Sequence, residues 1–83
     1  MSVLDEVADG LAKRVTGMMT DIHDDAVERR IADEIGASSP TLQEAFTTAM
    51  RLRKAELRGH RILDKFERGE TVEKAGISSA PED

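Results

Sequence analysis

Apolar residues in the first half of the chain follow two helical patterns that are out of phase. Leu4, Val7, Ala8, Leu11, Val15, Met18, Met19 and Ile22 recur at three- and four-residue steps, which draws one stripe along an α-helix. Ser2 stands in front of the stripe as a candidate N-cap, with Asp5 three residues on as its capping-box partner. Asp5 and Glu6 also suit the positive end of the helix dipole. This predicts a first helix from about Val3 to about Met19. At roughly 100° per residue, Val27, Ile31 and Ile35 then fall on the opposite face. A single straight helix would have to bury both sides. The pattern therefore predicts a break between Met19 and Asp25, with Thr20, Asp21 and Asp24 as candidate caps. A second, short helix is expected from about Asp24 to Ile35, with Gly36 as its C-terminal stop. Gly10 and Gly17 each cost the first helix about 1 kcal/mol relative to Ala, and either permit a close helix crossing or are tolerated weak spots.

The segment from Gly36 to Pro40 reads as a turn. A third helix follows, with Ser39 as cap and Pro40 at its first position, where the missing N–H does no harm. Leu42, Ala45, Ala49, Leu52, Gly59, Leu63 and Phe66 form a drifting apolar stripe along it. Gly59 leaves this stretch continuous or divides it in two. From Gly69 onward the chain reads as a polar, frayed tail. The expectation is an all-α fold of three to four helices: a single helical domain over 1–69, with a tight helical corner followed by a long basic helix, and a flexible tail over 70–83. Neither an internal repeat nor strand alternation is evident.

Composition narrows the function classes. A chain of 83 residues makes one domain. It buries only about 60% of its unfolded surface, so dimerisation would help its stability. With no cysteine, disulfides and thiolate metal sites are excluded, which fits a cytoplasmic protein. No apolar run reaches the ~20 residues of a membrane span, and the acidic start lacks the positive charge of a signal peptide. Phe46 and Phe66 are the only aromatics, too few for a single-strand stacking platform. The net charge of -5 is distributed unevenly. Residues 1–34 hold nine acids against four bases, and residues 51–68 hold seven bases against three acids.

The run from Ile31 through Gly36, Ala37, Ser38, Ser39, Pro40, Thr41 and Leu42 to Ala45 resembles the helix-turn-helix of bacterial repressors. The GntR-type form, whose turn reads Gly-Val-Ser-x-Pro-Thr-Val, is the nearest likeness. The resemblance gives each matched residue a physical role. Ala32 is small at a helix crossing, and Gly36 sits where the turn needs a left-handed backbone. Ile31, Ile35, Ala37, Leu42 and Ala45 fill the space between the helices. Ser38 or Ser39 caps a recognition helix near a phosphate. It further implies that Ser39, Pro40, Thr41, Gln43, Glu44 and Thr47 face the major groove of double-stranded DNA, with Gln43 able to pair bidentately with adenine. Gln43 stands where the family often has Arg, and the basic β-hairpin wing is missing. The function implied is a transcriptional regulator acting as a homodimer.

A second feature is a basic seam. Arg51, Lys54, Arg58, Arg61, Lys65 and Arg68 step by three and four, so a continuous helix carries all six on one face. Arg51, Lys54, Arg58 and Arg61 are candidate phosphate contacts. The same row suits an acidic protein surface, or an acidic face of this chain itself. A helical protein-interaction module without DNA contact, such as an adaptor, structural subunit or antitoxin-like protein, is therefore the alternative. Catalysis has no support. His23 beside Asp21, Asp24 and Asp25 lacks any strong zinc spacing, and His60 has no neighbouring carboxylate in sequence to orient it. Neither a cofactor nor a metal is expected.

Overall fold

The computed structural model describes residues 2–19, 21 and 24–69. The expected tail over 70–83 and His23 lie outside the described residues. Three helices make up the fold: α1 over Val3–Met18, α2 over Ala26–Ser38 and α3 over Pro40–Glu67. The described residues contain no strand, so the fold is all-α.

The boundaries follow from local chemistry. Ser2 caps α1 by accepting the Asp5 N–H at 3.1 Å. Met19 is extended (φ -78°, ψ 129°) and closes α1, its N–H donating to the Thr16 carbonyl. The Asp24 carboxylate accepts the Ala26 N–H at 3.1 Å at the start of α2. The break thus falls where the apolar phase jumps. Added Cβ atoms at Gly10 and Gly17 would meet nothing within 4 Å, so no close helix crossing requires either glycine.

The junction of α2 and α3 corrects two expectations. Gly36 does not end α2; the helix runs two residues further, to Ser38. Nor is Gly36 left-handed, since Gly69 is the only described residue with a positive φ. The expected turn over 36–40 shrinks to one extended residue, Ser39 (φ -151°, ψ 97°), which is C-cap of α2 and N-cap of α3. Pro40 accounts for this. Its ring disfavours helical backbone at the residue before it, and it has no N–H to carry the α2 ladder onward. The Ser39 hydroxyl then accepts the Leu42 N–H at 3.1 Å. Gly59 divides nothing: α3 is one helix of 28 residues.

The core corrects a third expectation. The fully buried large side chains of α3 are Phe46 and Met50, which pack against Ala12 and Val15 of α1. Leu11, Met19, Ile31, Ala32, Ile35 and Ala49 surround them. Neither Phe46 nor Met50 belongs to the apolar stripe that the sequence suggested. Ala49 of that stripe packs against the core, whereas Leu52, Leu63 and Phe66 stay exposed. The small Ala8 and Ala12 let α1 lie close to α3, where both are buried. Ala37, expected between the helices, is exposed. Every residue from Arg58 to Glu67 is exposed, so the last turns of α3 project beyond the core. The molecule is accordingly long, 50 × 26 × 19 Å. No described helix is long and apolar enough to cross a membrane.

Candidate interaction face on the third helix

The residues singled out for DNA contact divide into two groups. Those at the corner are largely occupied with holding the fold. Ser39 spends its hydroxyl on the helix cap. Gln43 is half-buried, and its side-chain amide donates to the Ala32 carbonyl at 3.0 Å. The Gln43 carboxamide also lies over the α-carbon of Gly36, with Cδ 2.6 Å from where a Cβ would sit. Gly36 is therefore small to admit Gln43, rather than to turn the chain. Thr47 returns its hydroxyl to the Gln43 carbonyl at 3.0 Å. Thr41 and Glu44 are exposed.

The basic seam divides in the same way. Lys54 is half-buried and pairs with Glu28 of α2 at 2.8 Å. Arg51, Arg58, Arg61 and Lys65 are exposed. The cation that ties α1 to α3 is one the seam omitted. Arg53 grips Asp9 with two bonds, Nε to Oδ1 at 2.7 Å and Nη2 to Oδ2 at 2.6 Å, and reaches Glu56 at 3.1 Å. The hydrogen bond from Arg53 holds the Asp9 carboxyl below its ordinary value of 3.8 and raises the guanidinium in turn. At the start of α2, Arg29 lowers Asp25 by the same kind of bond. His60 lies 3.4 Å from Glu56 across one turn of exposed helix. Among the described residues no group of three or more His, Asp or Glu side chains is placed to hold a metal.

The outer face of α3 carries a long row of small and apolar residues. Ala45, Thr48, Leu52, Ala55, Gly59, Ile62 and Phe66 alternate steps of three and four over the whole helix, the spacing of a coiled-coil seam. Among the described residues, Thr48, Leu52, Ala55, Gly59, Ile62 and Phe66 of this row are exposed and Ala45 is half-buried. Leu52 is 69% exposed, Ile62 46%, Leu63 57% and Phe66 57%. Scattered exposed apolar residues are ordinary, but a contiguous row of large ones marks a contact surface. At the N-terminal half of α3 the row borders a groove of about 800 Å³ between α1 and α3. Leu4, Ala8, Ala45, Ala49 and Leu52 line its floor and walls, and Asp5 and Glu44 stand at it as acids. Part of this surface, Leu52, Leu63 and Phe66, is the stripe read from the sequence. The real core pair was also visible as a four-residue step from Phe46 to Met50, but Thr47, Arg53 and Lys54 flank it and obscure the periodicity.

No family model matches this chain, and neither a curated protein nor a solved structure shows significant similarity to it.

Proposed function

We propose that this protein is a helical protein-interaction module whose docking surface is the outer face of α3 together with the groove it shares with α1. The observation that carries this reading is the row Leu52, Ile62, Leu63 and Phe66, large apolar side chains left in water on one side of a single helix. An amphipathic helix laid along such a face buries it at i, i+3, i+4 and i+7 positions. Two residues that would contact DNA are occupied within the chain: Gln43, the candidate base reader, by Ala32, and Lys54, a candidate phosphate contact, by Glu28.

A photo-crosslinking side chain placed at Leu63 in cells producing the protein tests this. Protein adducts are expected there, and are expected to vanish when Leu52→Glu is added. A crosslinker at Arg14, on exposed α1, should give none. Equal labelling at both positions would reject the docking face.

Duplex DNA is the second reading, supported by the exposed cations Arg51, Arg58, Arg61 and Lys65 on one helix. A helix-turn-helix regulator would use them on phosphates, and its affinity would fall steeply with salt. Titrating labelled mixed-sequence duplex against salt separates the two readings. The interaction module predicts weak binding at physiological salt, unchanged by Gln43→Ala. Tight binding that loses about one unit of salt slope on Arg58→Ala would establish the DNA reading instead.

A further inference from the structure

The docking face has two unlike halves. At its C-terminal end Ile62, Leu63 and Phe66 project as an exposed apolar knob, among the cations Arg58, Arg61 and Lys65 and the acids Asp64 and Glu67. At its N-terminal end lies the groove, lined by Leu4, Leu52 and smaller side chains, with Asp5, Asp9, Glu44 and Glu56 against the single base Arg53. The knob is large and carries one more base than acid, whereas the groove is hollow and carries three more acids than bases. Each half carries what the other lacks.

We propose that the occupant of each groove is the knob of a second copy of this chain, in an antiparallel two-fold dimer built on α3. This rests on the reading of the α3 face as a docking surface, and it names the partner. A two-fold axis makes the contact occur twice, once in each direction. Placing the axis between Leu52 and Ala55 sets large residues against small ones in successive layers. Leu52 meets Ala55 of the second copy, Thr48 meets Gly59, Ala45 meets Ile62, and Thr41 meets Phe66. Large-against-small alternation is how helices interdigitate without voids. A parallel pair would instead stack Gly59 on Gly59 and Phe66 on Phe66, leaving a gap beside a bulge. Gly59 gains a reason here as well. Within one copy an added Cβ at Gly59 meets nothing within 4 Å, so the monomer does not require a glycine in mid-helix. A second helix crossing opposite Thr48 does.

The charges agree at the ends. The same register brings Glu44 alongside Lys65 of the second copy, twice by symmetry. Near the axis it brings Arg51 alongside Arg58, a like-charge approach between two exposed side chains. That unfavourable pair, which the two-fold axis also makes occur twice, identifies the register. Arg58→Glu turns it into an attraction in the antiparallel dimer. In a parallel pair position 58 faces Leu63, and the same change does not help.

The full-length chain, studied by sedimentation equilibrium, tests the proposal. The wild type is expected at about twice its 9.1 kDa mass at tens of micromolar. Leu63→Glu should weaken the dimer at least tenfold, and Arg58→Glu should tighten it severalfold. Helix content by circular dichroism should stay unchanged in both, because neither residue touches the core. Register is read by disulfides, since the natural chain has no cysteine. Thr48→Cys mixed with Gly59→Cys should give the mixed disulfide under mild oxidation, and neither variant alone should cross-link efficiently. A wild-type monomer at hundreds of micromolar would overturn the proposal. So would efficient self-linking of Gly59→Cys. If the chain is monomeric while crosslinks from Leu63 to a different protein persist in cells, the docking face stands and the second copy is the wrong occupant. If both fail, the docking reading falls too.

Discussion

Gln43 shows how one side chain can be recruited away from the role its neighbours suggest. Its carboxamide bridges α3 to the Ala32 carbonyl of α2 and fills the space over Gly36. The two residues should therefore be coupled. Gln43→Ala removes a half-buried hydrogen bond and is expected to cost about 1 kcal/mol. Gly36→Ala alone should be close to neutral, because the helix-propensity gain of about 1 kcal/mol is offset by displacing Gln43. In the Gln43→Ala background the same change should stabilise by about 1 kcal/mol. Urea denaturation of the four proteins checks this as a double-mutant cycle. Additive effects would show that Gly36 is small for some other reason.

At the scale of the element, α3 does two jobs on two sides. Its inner side carries Phe46 and Met50 into the core, and its outer side leaves Leu52, Leu63 and Phe66 in water. Phe46→Ala should cost about 3–5 kcal/mol, comparable to everything that stabilises a domain this short. Circular dichroism at 25 °C should then show most of the helix lost. Phe66→Ala, measured where the protein is monomeric, should shift stability by less than about 0.5 kcal/mol. A similar penalty at both positions would mean that the projecting end of α3 folds back onto the core. The helix boundaries are set more locally. Ser2, Asp24, Ser39 and Pro40 act through their own hydrogen bonds and ring geometry, which is why the starts of all three helices were legible.

At the scale of the whole molecule, α1 and α3 are joined by the Asp9–Arg53 pair across 44 positions of sequence. Arg53 holds Asp9 ionised below its ordinary value of 3.8. A depressed carboxyl contributes stability above its unfolded value and loses it as pH falls through the folded one. Wild type should therefore lose stability on acidification from about pH 4 downward. Asp9→Asn should be less stable than wild type at pH 7, and the gap should narrow by pH 3. Thermal melts at the two pH values measure this directly. A constant gap would mean that the pair contributes through packing rather than charge. The same pair closes one edge of the α1/α3 groove, so docking there should also respond to acid.

The sequence by itself determined the helical class, the three helix starts, the break after Met19 and the basic character of residues 51–68. All of these rest on short-range periodicity, caps and charge, which act within a few residues. Tertiary structure decided which side of α3 is inside. Two apolar stripes compete on that helix, and hydrophobicity alone ranks Leu52, Leu63 and Phe66 level with Phe46 and Met50. The choice was made by where α1 and α2 lie: Ala8 and Ala12 admit a close approach over Phe46, while Asp9 and Glu28 find Arg53 and Lys54 on the flanks. Those partners are distant in sequence. Only packing could show that Gln43 and Lys54 are occupied within the chain and that Leu52, Leu63 and Phe66 of the apolar stripe were left outside as a surface.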